Sequence, residues 1–407
     1  MNTKFEYKTV DSLAIRLTDY VANGSFASLA ENVQYQGSPS YAILIRLTDF
    51  NNSFRGPFIY VDEKAYAFLN KSSLRPGDII ISNVGANVGT VFLCPNLDTK
   101  MTLGPNAITV RFNGIDRFYY YWFLSPKGQA SISSIVTGSA QPKFNKTNFK
   151  QLLVPVPPLD YQRAVVRILD SIDKKIEIND KINGCLLEQC KSFFENWFVT
   201  YRRFGGKAPN DWNLKKLGDV FEVKRGGSPR PIQDYLSTEG YRWLKISDAT
   251  SCDSPYLSRI AEHIKEEGLK KTVFLHAGNI VLSNSATPGL PKILDVDTCI
   301  HDGWLYFPQS DLSKEFMYLL FEYLRPHLLQ LGNGSIFTNL KTEILKAYEF
   351  RLPGKDVLEV FDQSIAPLFE EIHSMTKENL RLETLRDSIL PKLMSGEIDV
   401  DSIQLEQ

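Results

Sequence analysis

Apolar residues along this chain keep two rhythms. Short β-rich runs, DIIISN from Asp78, AITVRF from Ala107, NIVLSN from Asn279 and GWLYF from Gly303, sit between clusters of Gly, Asn, Asp and Pro. That pattern predicts strands closed by turns. RFYYYWFLS from Arg117 and KEFMYLLFEYLRPHL from Lys314 are apolar beyond what period two allows, and predict helices. After each of these mixed regions the rhythm changes. Val165, Leu169, Ile172, Ile176, Asn179, Asn183, Leu186, Cys190, Phe193 and Trp197 fall at alternating steps of three and four, and so do Phe361, Ile365, Leu368, Ile372, Met375, Asn379, Leu382, Arg386 and Ile389. Each set is a heptad seam.

A helix of about 30 to 35 residues spans roughly 45 to 50 Å and cannot bury so narrow a stripe alone. The two helices are each other's obvious partners. Antiparallel pairing is expected, because each leads away from its own globule and one short segment near Tyr201 to Asn213 must return the chain. Pro367 predicts a kink or a late start in the second helix, and Pro391 marks its end or a bend. Asn183 and Asn379 are read either as a register device on the seam or as partly exposed helix positions.

The two halves echo each other. Leu74, Gly77, Ser82, Asn83 and Gly89 recur as Leu275, Gly278, Ser283, Asn284 and Gly289; Tyr41 with Arg46-Leu47-Thr48-Asp49 recurs as Tyr241 with Lys245-Ile246-Ser247-Asp248. Gly138-Ser139 returns as Gly334-Ser335, and the exit run FKQLLVPVP as LKAYEFRLP. The chain is therefore read as a tandem duplication of one unit. Its expected class is α+β: two tandemly repeated mixed α/β globules, separated by a long antiparallel two-helix coiled coil. The expected boundaries are 1–155 for the first globule, 156–200 for the first spacer helix, 201–355 for the second globule, and 356–407 for the second helix and tail.

With 407 residues the chain exceeds what one core usually serves. Its five cysteines are odd in number and lack a CxxC pair, which suggests neither a disulfide framework nor a zinc site. No signal-peptide core opens the sequence and no apolar run reaches about 18 residues. A cytoplasmic, reducing setting with no membrane partner is the expectation. Charge divides along the same boundaries: residues 8–155 carry 14 basic against 9 acidic side chains and 201–355 carry 21 against 18, whereas 356–407 carry 4 against 12. Mildly basic globules on a chain of net charge −1 suit a sequence reader better than a non-specific polyanion binder.

Candidate contacts lie where polar residues close strands or turns. Ser82, Asn83, Ser283 and Asn284 each end a buried-type strand, where Asn can bond adenine bidentately; the alternative is that they bond backbone as turn-formers. Asn284→Ala relaxes recognition if the side chain reads a base. Asn87 lies in the first of the two turns. Lys224, Arg225, Gly226, Gly227 and Arg230 form the sharpest cluster: Gly-Gly offers two N–H groups to a phosphate and the cations support it, unless the segment is a solvated hairpin. Asn23 and Ser25 stand at the matching place in the first repeat. Gln141, Lys143, Asn145 and Lys146, with Asn333, Ser335, Thr338, Asn339 and Lys341, lie in loops before the exit strands and also suit helix caps.

Catalytic motifs are missing from the sequence. It holds no GxxxxGK[ST], no HExxH, and no Asn/Asp-Pro-Pro-aromatic run. Asp295 and Asp297 lack a following lysine at nuclease spacing, and His301-Asp302 reads as a turn beside GWLYF. No catalytic residue and no metal ligand is assigned.

WNLKKLGDVFEVKRGGSPRP, LLVPVPPLDYQ followed by VVRILDSID, and LRDSILPKLMSGEI, in this order, resemble the specificity subunits of type I restriction-modification enzymes. The first globule departs from the pattern, since VDSLAIRLTDYVANGSFASL has no counterpart of Arg225 to Pro229. The resemblance implies a non-catalytic subunit of a type I restriction enzyme and adenine-specific DNA methyltransferase complex. It implies two target-recognition domains, each reading half of a split site in double-stranded DNA. It implies a coiled coil that docks two modification subunits and restriction (motor-nuclease) subunits, with S-adenosylmethionine, ATP and Mg2+ on those partners and no cofactor on this chain. An autonomous DNA-modifying enzyme and a coiled-coil scaffold without DNA specificity are the rival readings; methyl transfer by the isolated chain marks the first, indifference to duplex sequence the second.

Overall fold

Each repeat is closed by its own ends. Glu6–Thr9 pairs antiparallel with Leu153–Val156, and Asn213–Lys216 with Glu349–Leu352, so the duplicated exit runs are the closing strands of their own globules. The computed structural model describes residues 5–331 and 339–400, without the side chains of Gln330 and Leu331. The chain divides into two units, one holding residues up to Lys174 together with those from Leu382 onward, the other Lys175–Arg381.

In the first unit Ile79–Ser82 lies between Ala107–Phe112 and Val91–Leu93, with Ala14–Asp19 beyond, all antiparallel. A second sheet pairs Ala42–Ile45 in parallel with Lys100–Leu103 and is edged by Tyr60–Val61 and Ser73–Leu74. The second unit repeats the plan. Ile280–Ser283 lies between Trp304–Tyr306 and Pro291–Leu294, with Lys224–Arg225 and Tyr256–Leu257 at the edges. Tyr241–Leu244 runs parallel to Thr298–Ile300, in a sheet with Glu262–Ile264, Leu236–Ser237 and Val273–Leu275. Ile79, Ile80 and Ile81 are fully buried, contributing on the order of 1.5–3 kcal/mol apiece. The predicted helices form over Asp116–Leu124 and Lys314–Leu331 and pack against these cores. The result is two mixed α/β domains linked by a long helix.

That link is Leu159–Phe194, continued by a π-helical turn over Glu195–Val199; the second long helix is Lys355–Ser395. In each unit the two run in opposite directions. In the first, Val165 and Leu169 share a core with Leu390 and Leu393, Tyr161 donates to the Leu393 carbonyl at 2.8 Å, and Arg386 pairs with Asp173 at 2.9 Å. In the second, Phe194 meets Phe361 and Asn179 meets Asn379.

Val165, Leu169, Ile172, Phe361, Ile365 and Ile372 are buried as the seam requires, while Ile176, Leu186, Leu368, Leu382 and Ile389 are partly covered. Two positions are out of phase. Phe193 is 41% exposed and Phe194 1%, and Phe369 rather than Leu368 is the fully buried residue of its pair. Steps of four from Leu186 through Cys190 to Phe194, followed by the wider π turn, move the stripe off the strict heptad. Asn183 does not meet Asn379, and its buried carboxamide oxygen has no partner; Asn179, fully buried, takes the contact.

The second helix starts at Lys355, before Pro367, and continues past Pro391 to Ser395, so it neither starts late at the first proline nor ends at the second. A proline inside a helix costs about 3 kcal/mol. Burial of Ile365, Phe369 and Ile372 around the first, and of Leu390, Leu393 and Met394 around the second, offsets it.

Candidate nucleic-acid interface

The Ser-Asn pairs that close the central strands turn inward. In the first domain Asn83 donates its backbone N–H to the Asn106 carbonyl and its carboxamide to the Phe144 carbonyl, while its own carbonyl accepts from Phe144 N–H. In the second, Asn284 donates its N–H to Gly303, its carboxamide to the Asp302 carbonyl at 3.2 Å, and accepts from Leu340 N–H. Asn284 is 3% exposed, and in both residues the carboxamide oxygen is buried without a partner. Ser283 is equally enclosed, donating to the Thr287 carbonyl and accepting from Leu290 N–H; Ser82 is buried with its hydroxyl unpaired. These asparagines therefore staple the strand end to the loop that precedes the exit strand.

The staple brings separate candidate segments together, twice. Gly85 donates to the Pro142 carbonyl and Val84 bridges Lys143, so the turn carrying exposed Asn87 abuts the loop carrying exposed Gln141, Lys143 and Asn145. Ser285 bridges exposed Asn339 in the same way, with exposed Lys341 two residues on. Asn333, Ser335 and Thr338 lie outside the described residues.

Other candidates hold the domain together. Asn23 donates to the Tyr20 carbonyl and the Ser72 hydroxyl and accepts from Lys71 N–H, which occupies its whole carboxamide. Ser25 and Asn145 are helix N-caps, bonded to Ser28 and Asn148 N–H. Lys146 pairs with Asp19 at 2.8 Å.

The RGGSPRP segment is built around a residue that the sequence reading set aside as a turn. Asp302 accepts from Ser228 at 2.6 Å and pairs with Arg230 at 3.1 Å, and its carbonyl receives the Arg225 guanidinium and the Asn284 carboxamide. The Ser228 hydroxyl, then the nearby arginines, hold its carboxyl below the usual range. The two glycine N–H groups expected to face a phosphate are engaged instead, Gly226 with the Trp304 carbonyl at 2.9 Å and Gly227 with the Ile300 carbonyl at 3.3 Å. A Cβ on Gly226 would lie 2.2 Å from the His301 carbonyl oxygen. The glycines thus permit close backbone packing, and exposed Arg225, Arg230 and Lys224, the last paired with Glu222, supply the charge. Asp302 was hidden because Arg225, Ser228 and Arg230 lie more than 70 residues away, across the pairing of Lys224–Arg225 with Trp304–Tyr306.

Among the described residues no group of three or more His, Cys, Asp or Glu is placed to hold a metal, and no helix is long and apolar enough to cross a membrane.

Comparison with known proteins agrees with this duplicated plan. The type I restriction modification DNA specificity domain matches the chain twice, over residues 29–187 and 209–384. The MjaIX specificity subunit of a type I restriction enzyme from Methanocaldococcus jannaschii is 23% identical over 366 residues, covering 84% of this chain and 82% of that protein. The HindI specificity subunit from Haemophilus influenzae is 21% identical over 409 residues, covering 81% and 88%. The crystal structure of the type I restriction-modification S subunit from M. genitalium shares the fold, with a TM-score of 0.54 over 96% of both chains at 14% identity. Two matches to one domain, one per repeat and together spanning most of the chain, make this protein a member of the type I restriction-modification DNA specificity family.

Proposed function

We propose that this chain is the DNA-reading subunit of a type I restriction-modification complex. Each domain reads one half of a bipartite site in double-stranded DNA, the first through residues 8–155 and the second through 201–355. The observation that carries the reading is the duplicated junction, where a stapled strand end brings a polar turn against a polar loop in both domains. Exposed polar side chains of turn and loop, held against rigid strand ends, suit base edges, and the surrounding Lys and Arg suit phosphates. The paired helices act as a coiled coil that sets the distance between the half-sites and docks two modification subunits, with a motor-nuclease subunit joining for cleavage. Glu370, Glu371 and Asp387 lie exposed on the second helix and are available to such partners. S-adenosylmethionine, ATP and Mg2+ belong to the partner subunits in this reading.

Mapping methylated bases genome-wide, with this chain co-expressed beside a fixed methyltransferase, tests it. The expected motif is split, and polar substitutions within 8–155 rewrite one half only. A continuous motif, or one rewritten in both halves by a change in the first domain, overturns the proposal. Native mass spectrometry of the co-expressed complex should find two methyltransferase subunits per chain.

A further inference from the structure

Beside the RGGSPRP segment the second domain carries a cleft of about 870 Å3. Its lining joins two features singled out in the sequence, Ser228 to Gln233 of the Gly-Gly segment and Lys245 to Ser247 of the repeated Tyr241 device, to Trp243, Glu262 and His301 from other elements. Trp243, Ile246, Ile232 and two prolines make much of the wall apolar. Against it stand a donor and an acceptor side by side: Lys245 Nζ closes on Glu262 Oε1, while Glu262 Oε2 is covered and has no hydrogen-bond partner.

An unmade hydrogen bond at a carboxylate oxygen is costly, and here it sits on a side chain that is 35% exposed to the cleft it lines. Because Oε2 is covered, the exposed part of this side chain includes Oε1, which keeps lone-pair capacity beyond the one contact that Lys245 takes and can accept from a ligand. His301 adds polarity. Its Nδ1 accepts from Gly303 N–H at 2.8 Å, which puts the ring proton on Nε2, and burial keeps the ring below its ordinary pKa.

A flat ligand with an amino group next to an acceptor nitrogen complements this wall. Adenine offers that pair on its major-groove edge as its N6 amino group and N7; cytosine offers only its N4 amino group there, its N3 being engaged by guanine in the duplex, and guanine and thymine present a carbonyl oxygen that the carboxylate would repel. We propose that Glu262 and Lys245 are specificity-determining residues that select adenine at one position of the half-site read by the second domain, Glu262 accepting from the N6 amino group and Lys245 donating to N7. The assignment rests on the reading of this chain as a DNA-recognition subunit.

The test uses the full chain in complex with its modification subunits and a set of duplexes in which each base of the second half-site is varied in turn. The unaltered complex should demand adenine at one position. Glu262→Gln, nearly isosteric, and Lys245→Met should each reduce discrimination at that position alone by about tenfold or more, leaving the first half-site unchanged. Thermal melting of each variant checks that the domain still folds, and Glu239→Gln, exposed in the same domain and outside the cleft wall, should leave every preference intact. If both variants fold and keep the preferences of the unaltered complex, the assignment is overturned. Protection of the cleft by free adenosine or cytidine monophosphate as strong as that by the cognate duplex also overturns it, in favour of a nucleotide site. Failure of the broader reading looks different: the unaltered complex then shows no sequence preference at all.

Discussion

Asp302 shows how one residue can govern several candidates for DNA contact. Arg225 and Arg230 both lean on it, so part of their charge is already balanced within the protein. Asp302→Asn should release Arg230 and raise the local charge by one. Affinity for all duplexes should then rise at low salt, and the slope of log K against log salt should steepen by about 0.9 if one more phosphate is engaged. An unchanged slope in a salt titration would show that the freed arginine meets no phosphate. The same residue has a pH signature. Its folded pKa lies below the unfolded value of about 3.9, so its contribution to stability is complete above that value and is lost as pH falls through the folded pKa. Acid melting of the second domain should lose this component in the Asn variant. Asn284 takes a different role from the one its sequence position suggests. Since it is buried and bonded to Asp302, Asn284→Ala should cost about 1 kcal/mol of stability and loosen the loop at Leu340, with no relaxation confined to a single base. Denaturant melts beside base-by-base binding separate these outcomes. Sequence could place Asn at the strand end; whether it faced DNA or a carbonyl depended on a segment far along the chain.

At the scale of elements, the helices were legible because a stripe of period near 3.5 persists for five turns or more. Their exact phase was not. Phe193 and Phe194 are both apolar, as are Leu368 and Phe369, and only the π turn and the facing helix decide which one enters the core. The helix runs on through both prolines for a related reason, since tertiary burial outweighs a local cost of about 3 kcal/mol. The polar layer within the pair makes a testable case. Asn179 donates to Asn379 at 2.8 Å and to Glu378 at 2.7 Å, and Asn379 donates back to Asp180 at 2.7 Å. Removing one partner strands the others, so Asn179→Ala should destabilise by about 1–3 kcal/mol. Replacing Asn179 and Asn379 together by Leu should recover much of that loss, because apolar groups need no partner. The cost of the double change is register: cysteine pairs placed one turn out of step should crosslink in the double variant and not in the original. If the double variant is as unstable as the single one and shows no shifted crosslinks, the layer is not a register device.

For the whole molecule, the duplication was the most legible property, because it is carried by many residues at nearly one offset rather than by any single motif. The fold repeats its central strands, down to a parallel pair in each domain, and each main sheet of the second domain carries one strand more. What the offset could not reveal is how unequal the copies are: the first domain's sequence has no counterpart of Arg225 to Pro229, so in the proposed reading the two half-sites are read by different side chains on one scaffold. In the proposed reading the helices set the gap between those half-sites, and this gives the broadest prediction. Adding one heptad to each long helix at facing levels, away from the Asn179–Asn379 layer, lengthens the pair by about 10 Å at 1.5 Å per residue. Duplex DNA rises 3.4 Å per base pair, so the gap should grow by about three base pairs while both half-site sequences stay the same. Mapping methylated sites for the lengthened chain would show this directly. Two unchanged half-sites at the original gap would mean that something other than helix length fixes their separation. A changed half-site sequence would mean that the helices take part in reading the bases.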